Sequence, residues 1–238
     1  MAGLQIILPT VFNNPDLPYI IKASALSTAA AGCLACWEMQ NRGDNLHTDG
    51  TGKNLTGPVV FDQYGLVLAQ GSNGVSTGYT PASPNITIAI AAQIDSGASA
   101  DGFFWTNTHV ASSAGAGLQF QNASPAVRGQ AIQSSGSAIS TTSAARSKGS
   151  WFACAMAIGA TQIDMTMDSG SVVSTSSYST LNNPTQPILL GDGYQSTLGV
   201  KGRIGCMAIY SGALGSSDRT AVIVAMRTLM ATRGVTIP

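Results

Sequence analysis

Period-two alternation of apolar and small residues dominates this chain and predicts a protein built mainly of strands. Residues 84–95 set Ile86, Ile88 and Ile90 against Thr87, Ala89 and Ala91, a β-branched pattern that suits a strand. Trp151–Ile158, Gln162–Met167 and residues 171–174 read as a meander, with Asp168, Ser169 and Gly170 as a hairpin turn. Shorter strands are expected at residues 33–39, 102–106 and 117–120, and at residues 188–190, where the Gly191-Asp192-Gly193 turn closes the run. In residues 201–210, alternation places Ile204, Cys206, Ala208 and Tyr210 on one face. Arg203, Gly205, Met207 and Ile209 fall on the other. The period then changes. Val222, Ile223, Met226, Leu229 and Met230 form a stripe at helical spacing, opened by Ser217 and Asp218 and stopped by Gly234. Arg227 and Arg233 sit where the negative end of that helix favours them. The Ser/Ala-rich residues 134–147 are expected to form a strand and a polar loop.

The first 32 residues differ. Pro9, Pro15 and Pro18 forbid a long helix, yet Ile6, Ile7, Leu8, Val11 and Phe12 are too apolar to stay in water. An extended arm that docks on the body or on a partner is expected, with a short helix over residues 23–31 ended by Gly32. The body is then one domain over residues 33–238.

Only 9% of the 238 residues are charged and the formal net charge is zero, so nothing draws the chain to nucleic acid or an anionic membrane. A low-charge, hydroxyl-rich surface suits a place inside an assembly or facing sugars. The start lacks a basic n-region, and the apolar run at residues 4–8 is too short for a secretory h-region. No segment offers the ~20 apolar residues of a membrane helix. Synthesis in a cytoplasm is expected, with release by lysis or as part of a particle. Cys33 and Cys36 form a C-x-x-C, but Cys154 and Cys206 sit in apolar strand patterns, so core thiols are expected rather than a zinc site or disulfides.

The closing segment resembles that of concanavalin A-like jelly rolls of the laminin-G and pentraxin type. There a strand patterned x-G-x-I-x-x-x-x-I-Y leads into a short loop and one terminal helix, and Gly202, Ile204, Ile209, Tyr210, Ala213, Leu214 and Gly215 match. Asp49, Gly52 and Asn54 approximate the family's D-x-x-G-x-x-N loop, with Asn54 one position early. Ala91 or Ala92 replaces the tryptophan of its F-T-I strand, and Ser169 interrupts its D-G turn. The resemblance spans residues 34 to about 234. It implies an all-β, concanavalin A-like jelly-roll sandwich of two antiparallel sheets, with one C-terminal helix and an N-terminal extended arm.

That family binds, scaffolds and occasionally cleaves. Its glycoside hydrolases use paired carboxylates on one strand. This chain has a single glutamate, Glu38, and its only candidate pair, Asp164 and Asp168, reads more simply as a strand-edge and a turn residue. The histidines lie outside any nucleophile motif. No enzyme is expected. Sugar binding in this fold needs an aromatic platform with hydrogen-bonding neighbours. Phe103, Trp105, Asn107 and His109 are the first candidates, then Tyr194 and Gln195. Ca²⁺ would need a rim of oxygen donors. Asp49 and Asp192 are the candidates, with Asn54, Asp95, Asp101 and Gln195 as further donors. Phage proteins resembling this one open with an I-I-L-P-type arm. The reading is therefore a non-catalytic structural or receptor-binding component of a phage virion, located in the virion. It would meet other virion proteins through the arm, and cell-surface glycan, as a homo-oligomer. A free carbohydrate-binding lectin is the alternative, and a polysaccharide hydrolase has the least support.

Overall fold

The computed structural model describes residues 24–40, 54–71, 74–108, 114–136, 138–168, 171–193 and 199–238. In chain order these form helix α1 (Ala25–Thr28), then strands β1 (Cys33–Trp37), β2 (Leu66–Leu68), β3 (Val75–Ser76), β4 (Ile86–Ile94) and β5 (Gly102–Thr106). Next come β6 (Ala116–Gln121), β7 (Ala126–Ile132), β8 (Ala138–Ala145), β9 (Trp151–Ile158), β10 (Gln162–Met167) and β11 (Ser171–Ser177). Strands β12 (Leu189–Leu190) and β13 (Gly202–Ser211) precede helix α2 (Ser216–Ala231). One antiparallel sheet runs β1-β13-β4-β9-β10-β11, with β2 also on β13; the other runs β3-β12-β5-β6-β7-β8. This is a two-sheet β-sandwich with one long C-terminal helix.

The larger sheet packs on both faces, and its alternation divides the work. Ile86, Ile88, Ile90 and Ile94 of β4, with Phe152, Cys154, Met156 and Ile158 of β9, fill the core between the sheets. Phe104 and Phe152 meet edge to face there at 5.2 Å. The opposite face carries Ala89, Ala91, Ala153, Ala155, Cys206 and Ala208, a carpet of small residues. Their size lets α2 lie close and press Val222, Ile223, Met226 and Met230 into a second core.

Strand β13 departs from simple alternation. A bulge between Ile204 and Cys206 turns Ile204 inward beside Met207 and Ile209, while Cys206, Ala208 and Tyr210 face the helix. Glycine at the bulge lets Met230 pack close, because a methyl at Gly205 would lie 2.5 Å from Met230 Sδ and push that side chain aside. Helix α2 starts one residue before Ser217, with Gly215 at its cap position and Asp218 in the first turn. Thr87 and Arg219 fix the entry instead: Leu214 N–H donates to Thr87 Oγ1 at 2.9 Å, and Arg219 Nη1 donates to Leu214 O at 2.6 Å. Gly234 ends the helix at φ +74°, as its position suggests.

The short helix expected near residues 23–31 is α1, capped by Ser24 Oγ accepting from Leu26 N–H. From Ser24 onward the chain belongs to the body: Leu26 is fully buried in the second core, and Tyr210 Oη donates to Leu26 O at 2.5 Å. The arm residues Ile6, Ile7, Leu8, Val11 and Phe12 lie outside the described residues. Strand β8 supplies the strand expected in the Ser/Ala-rich stretch. All four cysteines are buried and none is in a disulfide, and the four do not converge. Cys154 points between the sheets, whereas Cys33, Cys36 and Cys206 lie under the helices. Burial pushes the Cys206 thiol up to about 12 and Cys154 higher still. Among the described residues, no helix is long and apolar enough to cross a membrane.

Candidate functional site

The aromatic cluster of β5 is core. Phe103 is 6% exposed, Trp105 0% and Asn107 3%, so none offers a face to a sugar ring. A bulge between Phe103 and Trp105 sends Phe104 and Trp105 together into the space between the sheets, against the alternation of the sequence. Phe103 covers Gly117, where a methyl would come within 2.8 Å of the ring. Asn107 holds the β5–β6 ladder, its Oδ1 accepting from Ala116 N–H at 2.8 Å. His109, Tyr194, Gln195 and Asp49 lie outside the described residues. Asp192 is 8% exposed, and its Oδ1 accepts from Gly193 N–H at 2.7 Å, which makes it a turn residue. Among the described residues, no three His, Cys, Asp or Glu side chains converge as metal ligands do.

The oxygen donors at the rim are engaged by the chain itself. Lys148 Nζ donates to Ala98 O at 2.6 Å and Asn122 Oδ1 at 2.7 Å, and Asn122 N–H donates to Asp101 Oδ1. Asp95 sits below the usual carboxylate range, held chiefly by Gly97 N–H and then by Lys201 against the opposing effect of burial. The candidate acid pair is engaged too. Asp164 accepts from Gln162 and Thr175, with Arg219 Nη1 at 3.5 Å. Asp168 accepts from Ala153 N–H and pairs with Arg146 at 2.6 Å. Burial raises the Asp168 carboxyl, and those partners offset the effect in part. Both carboxyls are thus held by donors of the chain itself.

An open cleft of about 300 Å³ lies elsewhere, beyond the C-terminal end of α2, lined by Tyr64, Gln93, Trp151, Arg203, Gly234, Val235 and Thr236. Sheet register builds its floor. Arg203 of β13 stands opposite Gln93 of β4, and Gln93 opposite Trp151 of β9, so three side chains form one row across three strands. Directly paired residues of antiparallel strands share a face. Here it is the helix-bearing face, past the point where α2 covers it. Trp151 meets the Tyr64 ring edge to face at 6.5 Å, and both are only partly buried.

Hydrogen bonds lock this row. Arg203 Nε donates to Asp62 Oδ2 at 2.6 Å and Nη1 to Gln93 Oε1 at 3.0 Å, while Gln93 Nε2 donates to Gly149 O at 2.9 Å. Asp62 Oδ1 accepts from Tyr64 N–H and Gly65 N–H, a side-chain-closed turn that sets the tyrosine's direction. Burial alone would raise the Asp62 carboxyl, yet Arg203 and the two N–H groups hold it below the usual range. Arg233 fastens the wall: its guanidinium donates to Tyr64 O, Gly205 O and Glu38 O at 3.0, 2.8 and 2.5 Å. Two partly exposed aromatic rings beside a fixed guanidinium, an amide and the Thr236 hydroxyl can stack on an apolar ring face and hydrogen-bond its rim. The sequence reading passes over these residues. The available signal was Trp151, a large aromatic at the head of a strand whose same-face neighbours, Ala153 and Ala155, are small.

No protein-family model matches the chain, and no curated protein matches it. Solved structures do. A Trypanosoma rangeli sialidase in complex with sialic acid matches with TM-score 0.63 and 11% identity, over 84% of this chain and 34% of the sialidase. The binding domain of botulinum neurotoxin DC in complex with SialylT matches with TM-score 0.64 and 10% identity, over 82% of this chain and 51% of that one. Domain 4 of AbnA, a GH43 extracellular arabinanase from Geobacillus stearothermophilus in complex with arabinotriose, gives TM-score 0.56 and 12% identity, over 81% of this chain and 98% of that domain. The chain thus spans about a third of the sialidase and about half of the toxin domain. At identities this low, the structural matches show the shared β-sandwich fold alone.

Proposed function

We propose that this β-sandwich is a non-catalytic, lectin-like module that binds carbohydrate at the Tyr64–Trp151 cleft. The observation that carries the reading is the Trp151–Gln93–Arg203 row with Tyr64 at its edge, an aromatic and hydrogen-bonding surface already fixed by internal bonds. Preorganisation of this kind lowers the ordering cost of binding. Support also comes from the neighbours solved with glycan ligands, above all the arabinanase domain, which this chain matches almost end to end on that domain's side. The carboxylates tied up at Asp62, Asp164 and Asp168 favour binding without hydrolysis. The test is a polysaccharide and oligosaccharide array probed with wild type and Trp151→Ala. Saturable binding that the substitution abolishes supports the reading, and binding indifferent to Trp151 sinks it.

The setting we propose is a phage virion, where the module is a structural or receptor-binding component and the apolar arm joins it to other virion proteins. The support is the sequence resemblance and the composition of the arm. Deleting residues 1–18 should leave a folded body that no longer assembles; a truncated protein that still assembles contradicts this.

A further inference from the structure

We infer that the ligand of the Tyr64–Trp151 cleft is an uncharged oligosaccharide rather than a sialylated or uronate-bearing one; the inference rests on the glycan-binding reading above. An arginine in a sugar site ordinarily grips a carboxylate through two parallel N–H donors. Arg203 is the one guanidinium among the described residues that line this cleft, and its Nε edge is closed by Asp62 at 2.6 Å. Asp62 cannot swing aside freely, because Tyr64 N–H and Gly65 N–H hold its other oxygen at 2.8 and 3.0 Å. Nη1 is drawn sideways to Gln93 Oε1.

Among the described residues, the other cations at this end of the sheet are engaged as well, Lys148 by Ala98 O and Asn122 Oδ1. Lys201 pairs with Asp95 at 3.2 Å. Arg233 is turned onto three main-chain carbonyls and lies within the field of Glu38. Among the described residues, each of these cations is thus already engaged by oxygens of the chain itself. An acidic sugar would have to shed water beside Asp62 and compete for cations already engaged by the chain, which disfavours it. What the cleft does present is neutral: two aromatic rings, the Gln93 amide and the Thr236 hydroxyl. Those groups suit the C–H faces and hydroxyls of uncharged sugar rings.

The test titrates wild type, Trp151→Ala and Asp62→Asn with two sets of probes. Arabino-, gluco- and galacto-oligosaccharides are the neutral set, and sialyllactose and oligogalacturonate the acidic set. Wild type should bind at least one neutral probe, lose it in Trp151→Ala, and ignore both acidic probes. Asp62→Asn keeps an acceptor for the Tyr64 and Gly65 N–H groups but frees Arg203, so it should gain acidic-sugar affinity by about tenfold or more, as a new charge-assisted bond provides. Circular dichroism confirms that each variant is folded. Trp151-dependent binding of an acidic probe by wild type overturns the inference while leaving the glycan reading intact. A folded Asp62→Asn that still ignores acidic sugars overturns the charge argument. Absence of any Trp151-dependent binding removes both readings.

Discussion

Replacing Arg233 by methionine should destabilise the whole domain and loosen the cleft together. The side chain gathers three carbonyls from three separate segments: Tyr64 beside the cleft, Gly205 at the β13 bulge and Glu38 after β1. Methionine keeps much of the aliphatic packing but none of the donors. A hydrogen bond from a charged donor is worth about 1.5–3 kcal/mol net when buried, and water can reach part of this site. Taking the low end and allowing for non-additivity gives a loss of about 3 kcal/mol. For a domain of this size, that corresponds to a fall in Tm of roughly 6–12 °C. Burial itself lowers the Arg233 pKa, so relief of desolvation offsets some of the cost. Urea unfolding followed by circular dichroism measures the change, and the m value should stay constant because the folded surface is unchanged. A loss of less than about 1 kcal/mol would refute the claim that these three bonds tie the sheet, the bulge and the cleft wall together.

Two further predictions concern titratable groups. All four thiols are buried, with Cys154 and Cys206 pushed upward, so a disulfide reagent at neutral pH should label none of them until guanidinium unfolds the chain; rapid labelling of any one under native conditions contradicts the packing described. Asp62 has a folded-state pKa below its ordinary 3.8, so its contribution to stability is complete above 3.8 and is lost as pH falls through the lower, folded value. Asp62→Asn should therefore flatten the acid limb of the Tm–pH curve, and an unchanged limb refutes this. Asp168, raised by burial, acts in the opposite sense and remains in the variant.

Much of the fold was legible because period two and period 3.6 are local properties. The isoleucine–alanine alternation of β4, the β9–β10 meander and the stripe of α2 all appear where the pattern puts them. Strand β7 escaped because Arg128, Gly129 and Gln130 break the apolar rhythm of AVRGQAI. The bulges escaped for another reason. Each inserts a residue whose effect on side-chain direction depends on the partner strand, so Ile204 and Phe104 could not be assigned to a face from their own neighbours. The Phe103–Asn107 cluster has the composition of a sugar platform, yet that composition also describes core, and burial decided it. The Tyr64–Trp151 cleft draws on a turn, three strands and the tail after α2. Only strand register brings those segments together.

The most direct measurement is iodide quenching of tryptophan fluorescence with and without a bound oligosaccharide. Of the three tryptophans, Trp37 and Trp105 are fully buried and Trp151 is partly exposed, so the quenchable signal should belong to Trp151 and vanish in Trp151→Phe. A glycan that binds in the cleft should shield that signal in step with saturation. Binding that leaves Trp151 as open to iodide as before would place the sugar elsewhere and contradict the account.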